Sequence, residues 1–300
     1  QMVGDANWRE SPPPGEDPFE SGFVVRRTMV VLSGNAFFKK LRYFYVFQPI
    51  HANGDEQIDE AKIFYEFDNG IVFQIGRFRD PSFLRELDVS LARTLGPDRS
   101  LIHAVFTTGV LEGFAFNKQT DDLRTWFIAH DGRGSGAPVR GNSFHTDLSD
   151  LALSASLDWK LFGEWSQYGD LPSWSDEGWA AFLGLGGYYE WGESGDDNPA
   201  NNANNHYAWT IDGTLEGHGF SLFTAAVGRH NAKDAPPLDQ YGFLIQASGK
   251  IPRDMELYSR YEYFDFGGLS VIGNGSPVIN SEVNVVTVGI NKYFNRHGAK

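Results

Sequence analysis

Cysteine is absent from the 300-residue chain, which excludes a disulfide framework, thiolate metal ligands and a cysteine nucleophile. Long hydrophobic runs are missing too: no stretch approaches the ~20 apolar residues that a membrane-crossing helix needs. Helical periodicity is scarce. There is no basic surplus, since 25 Lys and Arg stand against 39 Asp and Glu, a net charge of −14. Nucleic acid is therefore not expected as a partner, because phosphate contacts need Lys and Arg. Catalytic signatures are equally sparse. No Gly-x-Ser-x-Gly elbow or Walker loop exists, and the eight histidines are dispersed without a His-x-x-x-His pair. We expect no catalytic residues, no metal site and no cofactor. Gln1 is neither a start methionine nor part of a basic-then-apolar leader, so a mature, processed or truncated chain is expected.

What is present is period-two alternation. Leu151, Leu153, Ala155, Leu157 and Trp159 share one face, opposite Ser154, Ser156, Asp158 and Lys160. Tyr207, Trp209, Ile211 and Leu215 oppose Thr210, Asp212, Thr214 and Glu216; Tyr241, Phe243, Ile245 and Ala247 oppose Gln240, Gln246, Ser248 and Lys250. Leu257, Tyr261 and Tyr263 oppose Glu256, Arg260 and Glu262, and Ile63, Tyr65 and Phe67 oppose Lys62 and Glu66. The segment from Phe220 to Arg229 does not choose a face. Strands of ten residues or more, with aromatics near their ends, match membrane-crossing strands better than soluble strands of about five or six residues.

Connections come in two kinds. Asp68-Asn69-Gly70, Glu216-Gly217-His218-Gly219 and Pro252-Arg253-Asp254 suit tight turns, whereas 10–21, 131–147, 193–205, 231–239 and 267–282 are long and polar. Short turns alternating with long loops are the rhythm of an up-and-down barrel. The fold expected is an all-β, transmembrane, antiparallel up-and-down β-barrel of about 14 to 16 strands. It would fill residues 1–300 as one outer-membrane domain, with Gln1 to Trp8 as the end of an incomplete first strand.

Several segments resemble the phosphate-selective porin O and P family of bacterial outer-membrane β-barrels. They are Gly22-Phe-Val-Val-Arg-Arg-Thr-Met-Val-Val-Leu-Ser-Gly34, Ile75-Gly-Arg-Phe-Arg-Asp-Pro-Ser82 with Arg85-Glu86, Met255-Glu-Leu-Tyr-Ser-Arg-Tyr-Glu-Tyr-Phe-Asp265 and Val286-Thr-Val-Gly-Ile-Asn-Lys-Tyr-Phe294. The opening Gln1-Met-Val-Gly-Asp5 resembles the end of that family's first strand. The resemblance implies a homotrimeric outer-membrane channel, in contact with outer-membrane lipid, that passes small hydrophilic solutes or anions such as phosphate. It also implies an inward constriction loop over 80–101. That stretch holds Arg85, Arg93 and Arg99 but also Asp80, Glu86, Asp88 and Asp98, and no lysine. This departs from a strongly basic lining, so phosphate selectivity is not carried over.

A pore acts through its bore and lining charge. The constriction candidates are Arg77, Arg79, Arg85, Arg93 and Arg99; the lumen-lining candidates are Lys62, Glu66, Asp158, Lys160, Asp212, Glu216, Lys250, Glu256, Arg260 and Glu262. Each alone also reads as a wall charge paired across the sheet. Arg26-Arg27 must point to opposite faces unless a bulge intervenes. Asp131-Gly-Arg-Gly-Ser-Gly136 and Asp196-Asp-Asn-Pro-Ala-Asn-Asn202 carry oxygen ligands for calcium but read better as solvated loops. Gly184-Leu-Gly-Gly187 reads as room for aromatic neighbours.

Three other readings stay open. The barrel could anchor or scaffold a surface assembly. It could be a barrel hydrolase, for which no Ser-His spacing is recognisable. Or the chain could be a soluble, aromatic-rich carbohydrate-binding β-protein stacking sugars on Trp165, Trp174 and Trp191.

Overall fold

The alternating segments are strands in a computed structural model that describes residues 2–8, 19–25, 28–48, 57–132, 151–191, 206–231, 238–267, 270–271, 277–278, 282–294 and 296. β1 (Met2–Trp8) and β2 (Phe19–Val25) pair with each other. They are followed by β3 (Val30–Asn35), β4 (Leu41–Gln48), β5 (Gln57–Glu66), β6 (Ile71–Arg79), β7 (Val110–Gln119) and β8 (Leu123–His130). Then come β9 (Leu151–Phe162), β10 (Ala180–Trp191), β11 (His206–Gly217), β12 (Phe220–Asn231), β13 (Leu238–Ile251) and β14 (Met255–Asp265). Two short paired strands, β15 (Ser270–Val271) and β16 (Pro277–Val278), precede β17 (Glu282–Lys292).

β3 to β14 and β17 form one 13-stranded antiparallel sheet in strict chain order, with β3 and β17 at its two edges. This is the up-and-down barrel topology expected. β2 and β3 do not pair with one another. Among the described residues the sheet is not closed into a ring.

The tight turns are local sequence effects. β11 and β12 meet at Gly217 and Phe220, leaving His218 and Gly219 as a two-residue loop with φ of 52° and 83°. Positive φ at both positions is the type I′ geometry that matches strand twist. At Asp68-Asn69-Gly70 the Asn69 side chain accepts from Ile71 N at 3.1 Å, and Gly70 takes a φ of 77°. The β9–β10 connection lies at this same end yet runs from 163 to 179, with a 3₁₀ turn at Gln167–Gly169.

Side-chain exposure is inverted relative to a water-soluble protein. On β11 the apolar Tyr207, Trp209, Ile211 and Leu215 are exposed, while Thr210, Asp212, Thr214 and Glu216 are buried. β9, β13 and β14 repeat the pattern, with Trp159 50% and Leu257 51% exposed but Asp158 and Glu256 buried. A soluble carbohydrate-binding β-protein would turn these apolar faces inward, so that reading is corrected. Trp165 and Trp174 are not open stacking platforms either. Trp165 Nε1 donates to Thr120 O and Asp121 O, and Trp174 is buried edge-on against Tyr293, 5.0 Å between ring centres. Trp191 is exposed on the outer face. Outward aromatics gather near both strand ends: Tyr189 with Trp191, and Tyr207 stacked on His230, at the long-loop end, and Trp179 with Phe220 at the short-turn end. Such belts mark the two interfaces of a membrane.

β12 explains its own ambiguity. Phe220 and Leu222 face outward, while Phe223, Ala225 and Val227 point inward and are buried. Both faces are apolar because the inner one meets a segment folded into the barrel. That segment, 80–109, carries α1 (Arg85–Asp88), a 3₁₀ turn (Leu91–Arg93) and α2 (Leu101–Phe106). Its Phe83, Leu84, Val89, Leu95, Ile102 and Phe106 form one buried cluster with Phe223, Val227, Leu244 and Phe264 of the wall. Removing such side chains from water stabilises the arrangement by about 1.5–3 kcal/mol each. Gly186 permits the closest approach: a Cβ there would sit 2.3 Å from Ser82 O. The glycine run of β10 thus makes room for the inward segment, more than for aromatic neighbours.

Candidate permeation site

The inward segment is held at many points. Asp80 accepts from Ser82 N at 2.8 Å, Ser82 Oγ at 2.6 Å and Thr108 Oγ1 at 2.7 Å, which pins its two ends together. Glu86 accepts from the Ser100 hydroxyl and backbone N–H. Ser100 Oγ in turn accepts from His103 N at 2.9 Å and caps α2. From the wall, Arg229 donates to Val105 O at 2.9 Å, Glu262 accepts from Ile102 N at 3.0 Å, and Asn291 donates to Leu95 O at 2.8 Å. Burial raises the Glu86 carboxyl above its usual range, against the lowering effect of the Ser100 hydroxyl. Burial, then the charges of Arg99 and Arg79, push the His103 imidazole down to about 3, so it is neutral at physiological pH.

The long β9–β10 turn folds inward as a second insert and meets the first. Leu171 N donates to Arg93 O at 3.0 Å, and Ser221 Oγ donates to Leu171 O. Arg85 is the centre of this contact. It is buried, donates to Thr214 Oγ1 and to Tyr168 O, and lies 4.1 Å from the centre of the Tyr168 ring.

These contacts divide the expected site residues. Arg85 and Arg99 do not stand free in a bore: Arg99 donates to Glu86 O and Val89 O, clamping the segment's own backbone. Arg93 is exposed. Arg77 must be corrected. It shares register parity with Ile75 and pairs at 2.9 Å with Glu112, on the outward face, while Phe78 points in. Arg79, the last residue of β6, reaches Asp59 and Glu60 at the rim of an internal cavity.

The lumen-lining set follows the expected parity, but much of it lies beneath the inserts. Asp212 is buried beside Gly184, and Glu216 is wholly buried. Glu256 accepts from Ser248 and Tyr293, and Glu262 pairs with Arg260 at 3.0 Å while holding α2. Lys250 lies 3.7 Å from the Tyr293 ring centre and 3.6 Å from Glu256. Lys160 sits over Trp165. Asp158 accepts from Arg124 Nε at 2.9 Å and from the Tyr168 hydroxyl at 2.8 Å. Glu66 is half exposed near a tight turn, 4.0 Å from Arg42. Arg124, which bridges Asp158 and Asp88, is an inner-face residue that the sequence reading missed. Its alternation with Trp126 and Ile128 on β8 was the available signal. Arg26-Arg27, residues 133–136 and Asp196 to Asn202 lie outside the described residues. Among the described residues no group of three or more His, Asp or Glu could hold a metal ion.

On the opposite side, between the segment and the β3–β8 wall, a cavity of about 340 Å³ remains. Phe44, Glu60, Lys62 and Phe64 line it from the wall, and Asp88 and Ser90 from the segment.

No protein-family model matches the chain, and no curated protein matches its sequence. Solved structures do match. The outer-membrane expressed OmpT of Vibrio cholerae aligns with a TM-score of 0.54 at 11% identity, over 98% of this chain and 80% of that one. A high-pH structure of Pseudomonas putida OprB aligns with a TM-score of 0.53 at 9% identity, over 89% of this chain and 73% of that one. The fold is that of a bacterial outer-membrane β-barrel. The exposed apolar face of the sheet is the face that such barrels turn to lipid.

Proposed function

We propose that the protein is a porin-like passive diffusion channel for small hydrophilic solutes. The observation that carries this reading is the inverted sheet: apolar side chains stand exposed outside, while a charged cavity, bordered by Lys62, Glu60, Arg79 and Asp88, stays open inside. A barrel closed by packing alone has no use for charges on an open inner surface, whereas a diffusing hydrophilic solute does. The resemblance to the phosphate-selective porin O and P family supports a homotrimer and passage of anions. Against a dedicated anion route, Arg85 and Arg99 are engaged within the anchored segment. Reconstitution into planar bilayers tests the reading. Stepwise conductance is expected, and none at high protein dose would overturn it.

The heavy filling of the β10–β17 side favours one second reading, a barrel that anchors or scaffolds a surface assembly. Such a barrel would give no conductance steps.

A further inference from the structure

We infer that the permeation route runs along one side of the interior only, between the inward segment and the β3–β8 wall, through a charge-compensated constriction built around Lys62, and that it admits small neutral and zwitterionic solutes in preference to anions. The inference rests on the channel reading above.

Three observations carry it. First, the β10–β17 side is occupied: α2 and the hydrophobic residues of the segment pack directly on Phe223, Val227, Leu244 and Phe264, and the second insert packs beneath them. Solute-sized space remains on the other side, where Asp88 and Ser90 of the segment are exposed towards the cavity.

Second, the charges bordering that space are matched. Lys62 bonds Glu60 at 2.6 Å, Arg79 pairs with Asp59 and Glu60, and Asp88 pairs with Arg124 at 2.9 Å. A lining with alternating signs concentrates neither anions nor cations strongly. It offers donor and acceptor together, which suits a dipolar solute.

Third, Lys62 is held in place. Its ammonium lies 5.1 Å from the centre of the Phe44 ring and 5.4 Å from that of Phe64. Ring faces attract a cation and limit its wandering. Lys62 is thus a fixed positive point on the wall across from Asp88, and reversing its charge would unbalance the matched lining.

Because the chain has no cysteine, single introduced thiols report the route directly. In planar bilayers, a bulky charged methanethiosulfonate reagent should cut the conductance of Ser90→Cys by about half or more and leave Ser248→Cys unchanged. In a salt gradient, Lys62→Glu should move the cation-to-anion permeability ratio about threefold towards cations, with Asp254→Asn, in the exposed β13–β14 turn, close to wild type. Inorganic phosphate added to chloride should not block the wild-type current. Block of Ser248→Cys but not Ser90→Cys, an unchanged ratio in Lys62→Glu, or block by phosphate would overturn the route while leaving a channel. Absence of wild-type current would sink the channel and the route together.

Discussion

On the β10–β17 side, Arg85 is locked between the Tyr168 ring and the Thr214 hydroxyl, and Glu262 is spent on a backbone N–H of α2. On the β3–β8 side, Lys62 and Glu60 bond each other at the edge of open space. Both sides bring charged inner-face residues from alternating strands. They differ in what faces them. Where the segment carries Phe83, Ile102 and Phe106, charge becomes an anchor within a packed interior; where it carries Asp88 and Ser90, charge borders water. An inward-pointing charge is therefore not by itself a lining residue.

That contrast can be broken by substitution, and the largest effect is expected in the packed half. Phe106→Ala should cost about 3–5 kcal/mol, because a wholly buried ring leaves a cavity. The measurement is the temperature at which the unheated, compact band is lost on SDS gels. Arg85→Ala should cost about 3 kcal/mol by stripping a buried cation from several acceptors. A loss below a tenth of that would show that the packed half is not packed. Gly186→Val should cost about 1–3 kcal/mol through overcrowding against Ser82 O. By pushing the segment across the interior it should also alter single-channel conductance, which a wall glycine with no neighbour would not do.

Acid should act on the same half. The folded state holds His103 near 3 while the unfolded chain binds its proton near 6.5. The unfolded state therefore takes up more protons between those values, and stability is complete above about 6.5 and declines as pH falls towards 3. Melting at pH 7 and pH 4 checks this: the drop should be smaller in His103→Gln than in wild type. The smallest stability effect is expected on the open side, where Lys62→Ala leaves Glu60 with Arg79 3.7 Å away as a second partner and should cost about 1–2 kcal/mol. Its effect should be read in ion preference instead.

The strands of the wall were legible because lipid imposes a simple rule: β9, β11, β13 and β14 alternate, and their outward residues are the apolar ones. β12 was illegible for a definite reason, since its inner face touches protein and the alternation vanishes. Parity also located Asp158, Asp212, Glu216, Glu256 and Glu262 on the inner face. It could not say that two inserts, from opposite ends of the barrel, would cover them, because that depends on Leu171, Ile102 and Phe106 finding partners distant in sequence. Arg77 illustrates the converse. It shares parity with Ile75, and the alternation carried that information, but its proximity to the loop drew it into the constriction set.

The two oily faces of β12 carry one more implication. A slip of one residue in pairing normally exposes the wrong side chains and is rejected for that reason. Here the apolar positions alone would tolerate it, since Phe220 and Leu222 match Phe223 and Val227, but a slip would also turn the buried Arg229 away from Val105 O and Gln240 and towards lipid. Orientation therefore comes from Arg229 and from the pairing with β11 and β13, and the Arg229 contact with Val105 O ties it to the seating of α2. The strand and the inward segment thus support one another, and a chain that fails to seat α2 is left with Phe223 and Val227 stripped of their apolar partners.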